Sequence, residues 1–418
     1  MAPLIYAGGN MEDLILRLIN RILKTGQIPD ILKVGLVTPI FKNNGDKNNS
    51  TNYRGITVMP AISKIMETIL RERIAPIIIA AQNPVQRGLT KNTSPMNASL
   101  LVEEMYRDEQ NTRQSSELVL LDAKAAFDVV VHTHMLRRLF QAGLDDKHWT
   151  IIQSMHEGAS SAIKWNGKIS DQFEVLQGDR QGGILSTDLY KLYVNPLLDR
   201  LTSSNIGLKI RNIVCNTSAC ADDIALMSRN EVDMQIQINM SNDFAAMERY
   251  RLQLQKSISI QIKPKSTKMA SAPVEYTLGK DQMPNDERAV HLGIIRTTSA
   301  LDNIKENVDE NMKKARRSAY VLFDCGFHGE NGLDPETMIH LFKTYITPVL
   351  LYGMEVLIPK GKYLEQLDKF QKKMIEQLLS ISSNTPDPAI YILTGLLPIE
   401  AQIHIHIHYL VWECMSSR

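Results

Sequence analysis

Residues 212–228 read NIVCNTSACADDIALMS. This stretch is apolar on both sides of two adjacent carboxylates, Asp222 and Asp223, and predicts two strands joined by a tight turn at that pair. Taken alone, such a pair is most often a turn. Here, however, both flanks would be buried, and two carboxylates there repel each other unless cations or hydrogen-bond donors compensate. The stretch therefore predicts either a simple turn or part of a cation site.

A third carboxylate, Asp122, stands at the carboxyl end of the apolar segment ELVLLD (117–122), which predicts a buried strand. Taken alone, Asp122 would be the N-cap of a helix predicted over 124–142. Asp128, inside that helix, is interpreted as structural. Carboxylates from neighbouring strand ends supply the hard oxygen ligands that Mg²⁺ prefers. Two such ions, roughly 3.5–4 Å apart, clamp the attacking and leaving oxygens of a phosphoryl transfer.

The composition excludes several protein classes. With 418 residues, 44% of them apolar, two or three domains are expected. A charged content of 22% excludes a wholly disordered chain, and a net charge of +1 excludes a uniformly basic protein. Four cysteines without a C-x-x-C pair exclude a disulfide scaffold and argue against a zinc ribbon, so a reducing compartment is expected. No apolar run reaches about 18 residues, so no transmembrane helix and no secretory signal are predicted.

Positive charge is concentrated in one region of this nearly neutral chain. Residues 31–91 contain nine Lys or Arg and three acidic residues, a local balance of +6. The region has two interpretations, a solvated helix face or a surface that binds phosphates.

The predicted elements alternate until about residue 300. A strand over 34–41 precedes a helix over 59–80, and the glycine-punctuated loop QGDRQGG (177–183) precedes another helix. Strands are also predicted at 257–262 and 291–294. Everything after about 300 reads as helical, which predicts a domain boundary there.

The order of these motifs resembles the reverse transcriptase domain of non-long-terminal-repeat (LINE-type) retrotransposons over residues 10–410. The segments that carry the resemblance are VTPIFKNNGDKNNSTNYRGITVMPAISKIMETIL (37–70), LLDAKAAFDVVVH (120–132), QGDRQGGILS (177–186), ACADD (219–223), KPKSTKM (263–269), HLGI (291–294) and TYITPVLLYGMEVL (344–357). Any one of them is a weak signal, whereas all of them in this order are a strong one.

The resemblance implies an α+β fold of the right-hand polymerase type, with fingers, a palm built on an antiparallel sheet, and a helical thumb. The corresponding domains are a lead-in and fingers over 1–115, a palm with interleaved fingers elements over 116–298, and a thumb with a C-terminal segment over 299–418.

The resemblance also assigns roles to individual residues. Asp122, Asp222 and Asp223 would hold two Mg²⁺ ions, with the carbonyl of Ala123 as a further ligand. Phe127 stands in the place of the aromatic gate that excludes a ribose 2′-hydroxyl, although a core phenylalanine is the alternative. Gln181 and Gly182 match residues that line the nucleotide and template pocket. Arg54 matches a basic residue over the incoming triphosphate, and Lys42 or Lys64 would assist it. Lys268 matches a general acid for pyrophosphate, with a solvated charge as the alternative.

The function implied is RNA-directed DNA polymerisation, with an RNA template, a DNA primer and deoxynucleoside triphosphates as partners. Cys220 stands where the family has Tyr or Phe, which favours the alternative of a catalytically weak or inactive nucleic-acid-binding remnant. A group II intron maturase is a more distant alternative. The resemblance further implies a retrotransposon-derived enzyme without its endonuclease, acting inside the cell in the nucleus and cytoplasm as a ribonucleoprotein, away from membranes.

Overall fold

The computed structural model describes residues 8–43, 45–263, 274–326 and 333–416. The chain forms two compact units. The first unit comprises the described residues of Met1–Leu89, Asp122–Ser204 and Asn239–Gln253. The second comprises those of Thr90–Leu121, Asn205–Ile238 and Leu254–Arg418.

Helices and strands alternate as far as residue 297, and helices follow. The α-helices are α1 (Gly9–Thr25), α2 (Ala61–Ala81), α3 (Pro95–Thr112), α4 (His132–Gln141), α5 (Asp146–His156), α6 (Ser186–Ser203), α7 (Glu231–Met247), α8 (Ala300–Asp324), α9 (Pro335–Leu341), α10 (Thr347–Leu350), α11 (Met354–Leu357), α12 (Lys362–Leu379), α13 (Asp387–Thr394) and α14 (Ile399–Ser416). The strands are β1 (Val34–Phe41), β2 (Tyr53–Val58), β3 (Ser116–Leu121), β4 (Ser160–Trp165), β5 (Lys168–Ile169), β6 (Phe173–Glu174), β7 (Lys209–Ile210), β8 (Ile213–Val214), β9 (Thr217–Cys220), β10 (Asp223–Ser228), β11 (Ile258–Ile262), β12 (Thr277–Leu278), β13 (Asp281–Gln282), β14 (Arg288–His291) and β15 (Ile294–Thr297).

The first unit is built on a sheet of strand order β2-β1-β4-β5, with β6 pairing β4. Strands β1 and β2 are antiparallel, and Phe41 pairs with Tyr53. Strand β4 runs parallel to β1, with Val34 opposite Ser160. Helix α2 buries one stripe of its surface, which includes Leu70, and this stripe rather than helix propensity stabilises most of the helix.

The second unit contains a four-stranded antiparallel sheet of order β11-β3-β10-β9. All six residues of β3 are buried, as expected for a central strand covered on both faces. Leu121, the last residue of β3, pairs with Ile224 of β10. Strands β9 and β10 form a hairpin whose last pair is Cys220 with Asp223.

Helices α8 to α14 of the second unit share one apolar core. Helix α8 begins after the N-cap Ser299, whose hydroxyl accepts a hydrogen bond from the amide of Asp302. Its inner face packs with α12 around buried Leu367 and Phe370. A π-helical turn, Phe342–Ile346, lies between α9 and α10, and both of its terminal side chains are buried.

Three predicted elements differ in the structure. The helix predicted over 124–142 begins only at His132, because residues 124–129 form turns and Ala125 has a left-handed backbone with φ of +53°. Residues 291–294 are not one strand: His291 ends β14, Ile294 begins β15, and the two residues between them form the turn of the hairpin. The tight turn of the acidic hairpin is centred one residue earlier than predicted, and Asp223 already belongs to β10.

The α+β class is confirmed, as is the helical character of the described residues beyond 300. The division at 115 and 298 stays a prediction. In the described part of the chain, no single helix is long and apolar enough to cross a membrane. One pair, α13 with α14, has the length and composition of a span only when both are taken together across a 50° bend.

Candidate active site

Two of the three predicted metal-binding carboxylates lie in the β9–β10 hairpin. Ala221 and Asp222 form its two-residue turn, and Ala221 has φ of +58°. A positive φ at the first turn position but not at the second is the feature of a type II′ turn, which suits the twist of the flanking strands. Burial, together with the negative charges of Asp223 and Asp222, raises the pKa of the Cys220 thiol to about 11. The turn therefore places two carboxylates next to a thiol that stays protonated at neutral pH.

The third carboxylate, Asp122, follows β3 directly. Since Leu121 pairs with Ile224, chain connectivity places Asp122 and Asp223 at the same end of this strand pair. The Asp122 carboxylate accepts a hydrogen bond from the side-chain amide of Gln253, with 2.5 Å between Nε2 and Oδ2. The contact between Gln253 and Asp122 was not predicted from the sequence, because nothing in the local sequence links residues 131 positions apart.

The donor set has the chemistry that Mg²⁺ requires. All three side chains are carboxylates, which are hard oxygen ligands. Among the residues that the structure describes, however, no group of three or more His, Cys, Asp or Glu side chains is gathered closely enough to hold a metal ion. The donor types themselves fit the ion.

Phe127 lies in the turn between β3 and α4 and is half-buried. Its ring stacks on that of Tyr190 of α6, with centroids 4.4 Å apart and an interplanar angle of 27°. A ring fixed in this way has the rigidity that a steric gate needs, although the same contact also suits a core residue.

The loop that carries Gln181 and Gly182 packs against β2 within the first unit. The carbonyl of Gln181 accepts a hydrogen bond from the amide of Thr57 at 2.7 Å, and its side-chain amide donates to Asp128 Oδ1 at 3.1 Å. Burial raises the pKa of Asp128, and the Gln181 hydrogen bond and the Lys42 charge oppose that rise. Gly182, Gln181 and Lys42 are thus brought to one region.

The other predicted basic residues have separate positions. Arg54 is exposed on β2 and pairs across the strands with Ile40. Lys64 lies on α2, where its charge acts on buried Glu67. Lys268 lies outside the described residues, so its role stays a prediction.

Buried charges under the glycine loop were also missed. The Glu67 carboxylate accepts hydrogen bonds from the amides of Ile184 and Leu185, at 2.6 and 3.3 Å. Burial raises the pKa of Asp179, in the same loop, to about 7. Glu67 stands on the buried stripe of α2, and an acid at a core position was the available signal.

An aromatic surface on the first sheet is a further feature that the sequence analysis missed. The rings of Phe41 and Tyr53, and those of Tyr53 and Trp165, have centroids 5.3 Å apart. The ammonium of Lys47 lies 5.8 Å from the Phe41 centroid. The sequence did contain a signal for the β4–β5 hairpin that carries Trp165, because Asn166–Gly167 is a strong hairpin turn sequence.

The family model described as reverse transcriptase (RNA-dependent DNA polymerase) matches residues 42–277. The chain is 23% identical over 380 residues to the Pol polyprotein of the type-2 retrotransposable element R2DM of Drosophila melanogaster, covering 89% of this chain and 34% of that protein. It is 23% identical over 358 residues to the Pol polyprotein of the type-1 element R2 of Popillia japonica, covering 85% and 49%. It is 19% identical to the RNA-directed DNA polymerase of the mobile element jockey of Drosophila funebris, covering 86% and 39%.

The chain thus spans about a third to a half of the length of these curated relatives. The structure of apo telomerase from Candida tropicalis is also similar, with a TM-score of 0.47 and 11% identity over 97% of this chain and 70% of that one. The resemblance to polymerases of non-long-terminal-repeat retrotransposons is confirmed. Because the family model covers more than half of its residues, this chain belongs to the reverse transcriptase (RNA-dependent DNA polymerase) family.

Proposed function

We propose that this chain is an RNA-directed DNA polymerase that adds deoxynucleotides to a primer 3′-hydroxyl by two-metal phosphoryl transfer. The observation that carries the proposal is the strand register, with Leu121 opposite Ile224, which sets Asp122 and Asp223 at one end of the β3–β10 pair with Asp222 in the adjoining turn. Carboxylates carried by paired strand ends are hard oxygen ligands of the kind that Mg²⁺ prefers.

In this proposal Asp122, Asp222 and Asp223 hold two Mg²⁺ ions, and the Ala123 carbonyl supplies a further oxygen. When bound, the ions would neutralise the charge that develops on the attacking and leaving oxygens. The chain's own contribution at this point is to hold hard oxygen ligands on paired strand ends, which limits the freedom of the backbone that carries them.

Other residues of the first unit would bind and select the nucleotide. Exposed Arg54 would contact the triphosphate, with Lys42 and Lys64 assisting. Gln181 and Gly182 would line the nucleotide pocket, where the missing side chain of Gly182 lets backbone approach a base or sugar. Phe127, fixed against Tyr190, would exclude a ribose 2′-hydroxyl, so deoxynucleotides are preferred. Lys268 would donate the proton to pyrophosphate.

The RNA template would contact the aromatic surface formed by Phe41, Tyr53 and Trp165. Bases of a single strand stack on exposed aromatic rings, and neighbouring lysines attract the phosphates. Trp165 is 47% exposed, and the adjacent Lys164 and Lys168 are exposed as well. The surface therefore combines the two kinds of group that single-stranded nucleic acid requires.

Primer extension on an RNA template with Mg²⁺ tests the function. Asp222→Asn preserves the size of the side chain and removes its charge, so we expect extension to fall below detection. Asp281→Asn, on the exposed β12–β13 hairpin, is the matched control and should extend as the parent does. Equal extension by the parent and Asp222→Asn would reject the two-metal assignment.

One observation favours a second candidate, a nucleic-acid-binding remnant without polymerase activity. Cys220, half-buried beside the acidic turn, replaces an aromatic side chain that would pack near the primer end. A parent protein that binds primer–template duplex but does not extend it would establish this second candidate. Extension that is restored by Cys220→Tyr would identify the replaced residue as its cause.

A further inference from the structure

The segment that follows α7 lies against the residues that follow β3. The amide of Gln253 donates to the carbonyl of Asp122 at 2.8 Å, and the amide of Lys124 donates to the carbonyl of Arg251 at 3.0 Å. Ala123 and Leu252 form the bridge between these two bonds. The backbone around Asp122 is therefore held by a short antiparallel pairing within the first unit.

This pairing also orients the carbonyl of Ala123. In extended backbone, the carbonyl of one residue and the amide two residues later point to the same side, and the groups of the residue between them point to the other. The Asp122 carbonyl and the Lys124 amide both face the 251–253 segment. The carbonyl of Ala123 consequently points away from that segment. Its proposed role as a further oxygen ligand of the metal ions requires this orientation.

The other end of the segment is anchored in the core of the first unit. Glu248 is buried and pairs with the Arg138 guanidinium and with Nδ1 of His134, the latter at 2.9 Å. The Arg138 guanidinium also lies over the ring of Tyr193, 4.6 Å from its centroid. Glu248, a buried charge held by two partners, thus anchors the start of the segment that reaches Gln253.

We propose that Gln253 is a positioning residue that sets the orientation of the Asp122 carboxylate for cation binding. Its side-chain amide donates to Asp122 Oδ2, while its main-chain amide holds the carbonyl of the same residue. The inference rests on the proposed function, because it assigns Gln253 to the metal site proposed there.

The amide is chemically suited to this role. A carboxylate has about four acceptor positions, and a hydrogen bond from Gln253 uses one of them without introducing a positive charge. A Lys or Arg in its place would offset the negative charge that attracts the cation. Partners of metal ligands fix ligand orientation, and their removal typically lowers metal affinity or activity by about 10–100-fold.

The test measures Mn²⁺ binding by electron paramagnetic resonance, with Mn²⁺ alone as the probe. The variants are Gln253→Met, which keeps the length and loses the donor, Asp122→Asn, and the double variant. Gln235→Met is the matched control, because the side chain of half-buried Gln235 also hydrogen-bonds backbone, that of Thr277. Thermal unfolding of every variant reports on folding, and primer extension is measured in parallel.

We expect Gln253→Met to raise the Mn²⁺ dissociation constant about tenfold or more, with an unfolding midpoint like that of Gln235→Met. In the Asp122→Asn background, Gln253→Met should add no further loss, because Gln253 acts through that carboxylate. Unchanged Mn²⁺ affinity in Gln253→Met, or an equal additional loss in the double variant, would overturn the inference. Full extension by Asp122→Asn would instead overturn the proposed function, so the two failures are distinguishable.

Discussion

Gly182 has φ of +115°, and a Cβ built there would lie 2.7 Å from the carbonyl oxygen of Thr57. The neighbouring atom is backbone, so the loop rather than a side chain would have to shift. We expect Gly182→Ala to lower kcat/KM for deoxynucleotide by about tenfold or more, since displacements of about 1 Å in a site can cost a hundredfold. Steady-state extension at varied nucleotide concentration measures this.

The control separates backbone strain from collision. Gly143 also has a positive φ, +89°, but nothing lies within 4 Å of a Cβ placed there. Gly143→Ala should lower stability by about 1 kcal/mol through backbone conformation alone and leave kcat/KM unchanged. Similar kinetic losses in both variants would contradict the assignment of Gly182 to the nucleotide pocket.

Asp179 makes stability depend on pH. Burial raises its pKa from 3.8 to about 7, so between these values the folded chain binds a proton that the unfolded chain has lost. Stability therefore falls as pH rises through that window, and Asp179→Asn removes this dependence. Relative to the parent, the variant should gain about 1.4 kcal/mol for each pH unit from about 4 to 7.

Urea unfolding at pH 5, 6, 7 and 8 measures this difference. Exposed Asp171→Asn is the control and should differ from the parent by a constant amount. A constant difference for Asp179→Asn as well would show that this carboxyl is ionised in the folded protein throughout.

At the scale of secondary-structure elements, the β4–β5 hairpin has a proposed RNA-binding role that can be measured directly. Trp165 precedes its Asn166–Gly167 turn and is 47% exposed. Stacking of a base on an aromatic ring is worth about 1–3 kcal/mol. We therefore expect Trp165→Ala to weaken binding of single-stranded RNA by roughly fivefold or more, measured by fluorescence anisotropy of a labelled oligonucleotide.

Trp412 provides the control for this experiment. It is 58% exposed on α14, and its surroundings include other exposed apolar side chains such as Tyr409. Trp412→Ala should leave RNA affinity unchanged. Equal weakening in both variants would show a general apolar effect and contradict a stacking surface on the hairpin.

Elements also show where sequence patterns suffice. The strand predicted over 34–41 is β1, because a short apolar run bounded by polar turn residues is typical of a strand. The prediction of a helix over 124–142 was wrong for its first turns, because the helix begins at His132. Main-chain bonds from Gly178 to Val130 and from Asp179 to Phe127 hold that stretch in turns, and such long-range partners leave no periodic signal.

At the scale of the whole molecule, a net charge of +1 gives no general attraction to nucleic acid. Binding of a primer–template duplex should therefore depend on local cations, and its affinity should fall linearly on a log–log plot against salt. Arg54→Ala should reduce the magnitude of that slope by about one. Exposed Lys369→Ala, on α12, should leave the slope unchanged. A slope that does not depend on residue 54 would contradict its proposed phosphate contact.

The amino-acid sequence was enough to predict the family and the α+β class. Its motifs can be read without a structure because their chemistry is local: carboxylates after apolar segments, glycines in the loop, and an apolar strand before Asp122. What surrounds these residues emerged only from the packing of the elements. The Gln253 contact to Asp122, the Glu67 support under the glycine loop and the stacking of Tyr190 on Phe127 join residues more than 60 positions apart. Such pairs depend on how the elements pack, and local propensity and periodicity carry no information about that packing.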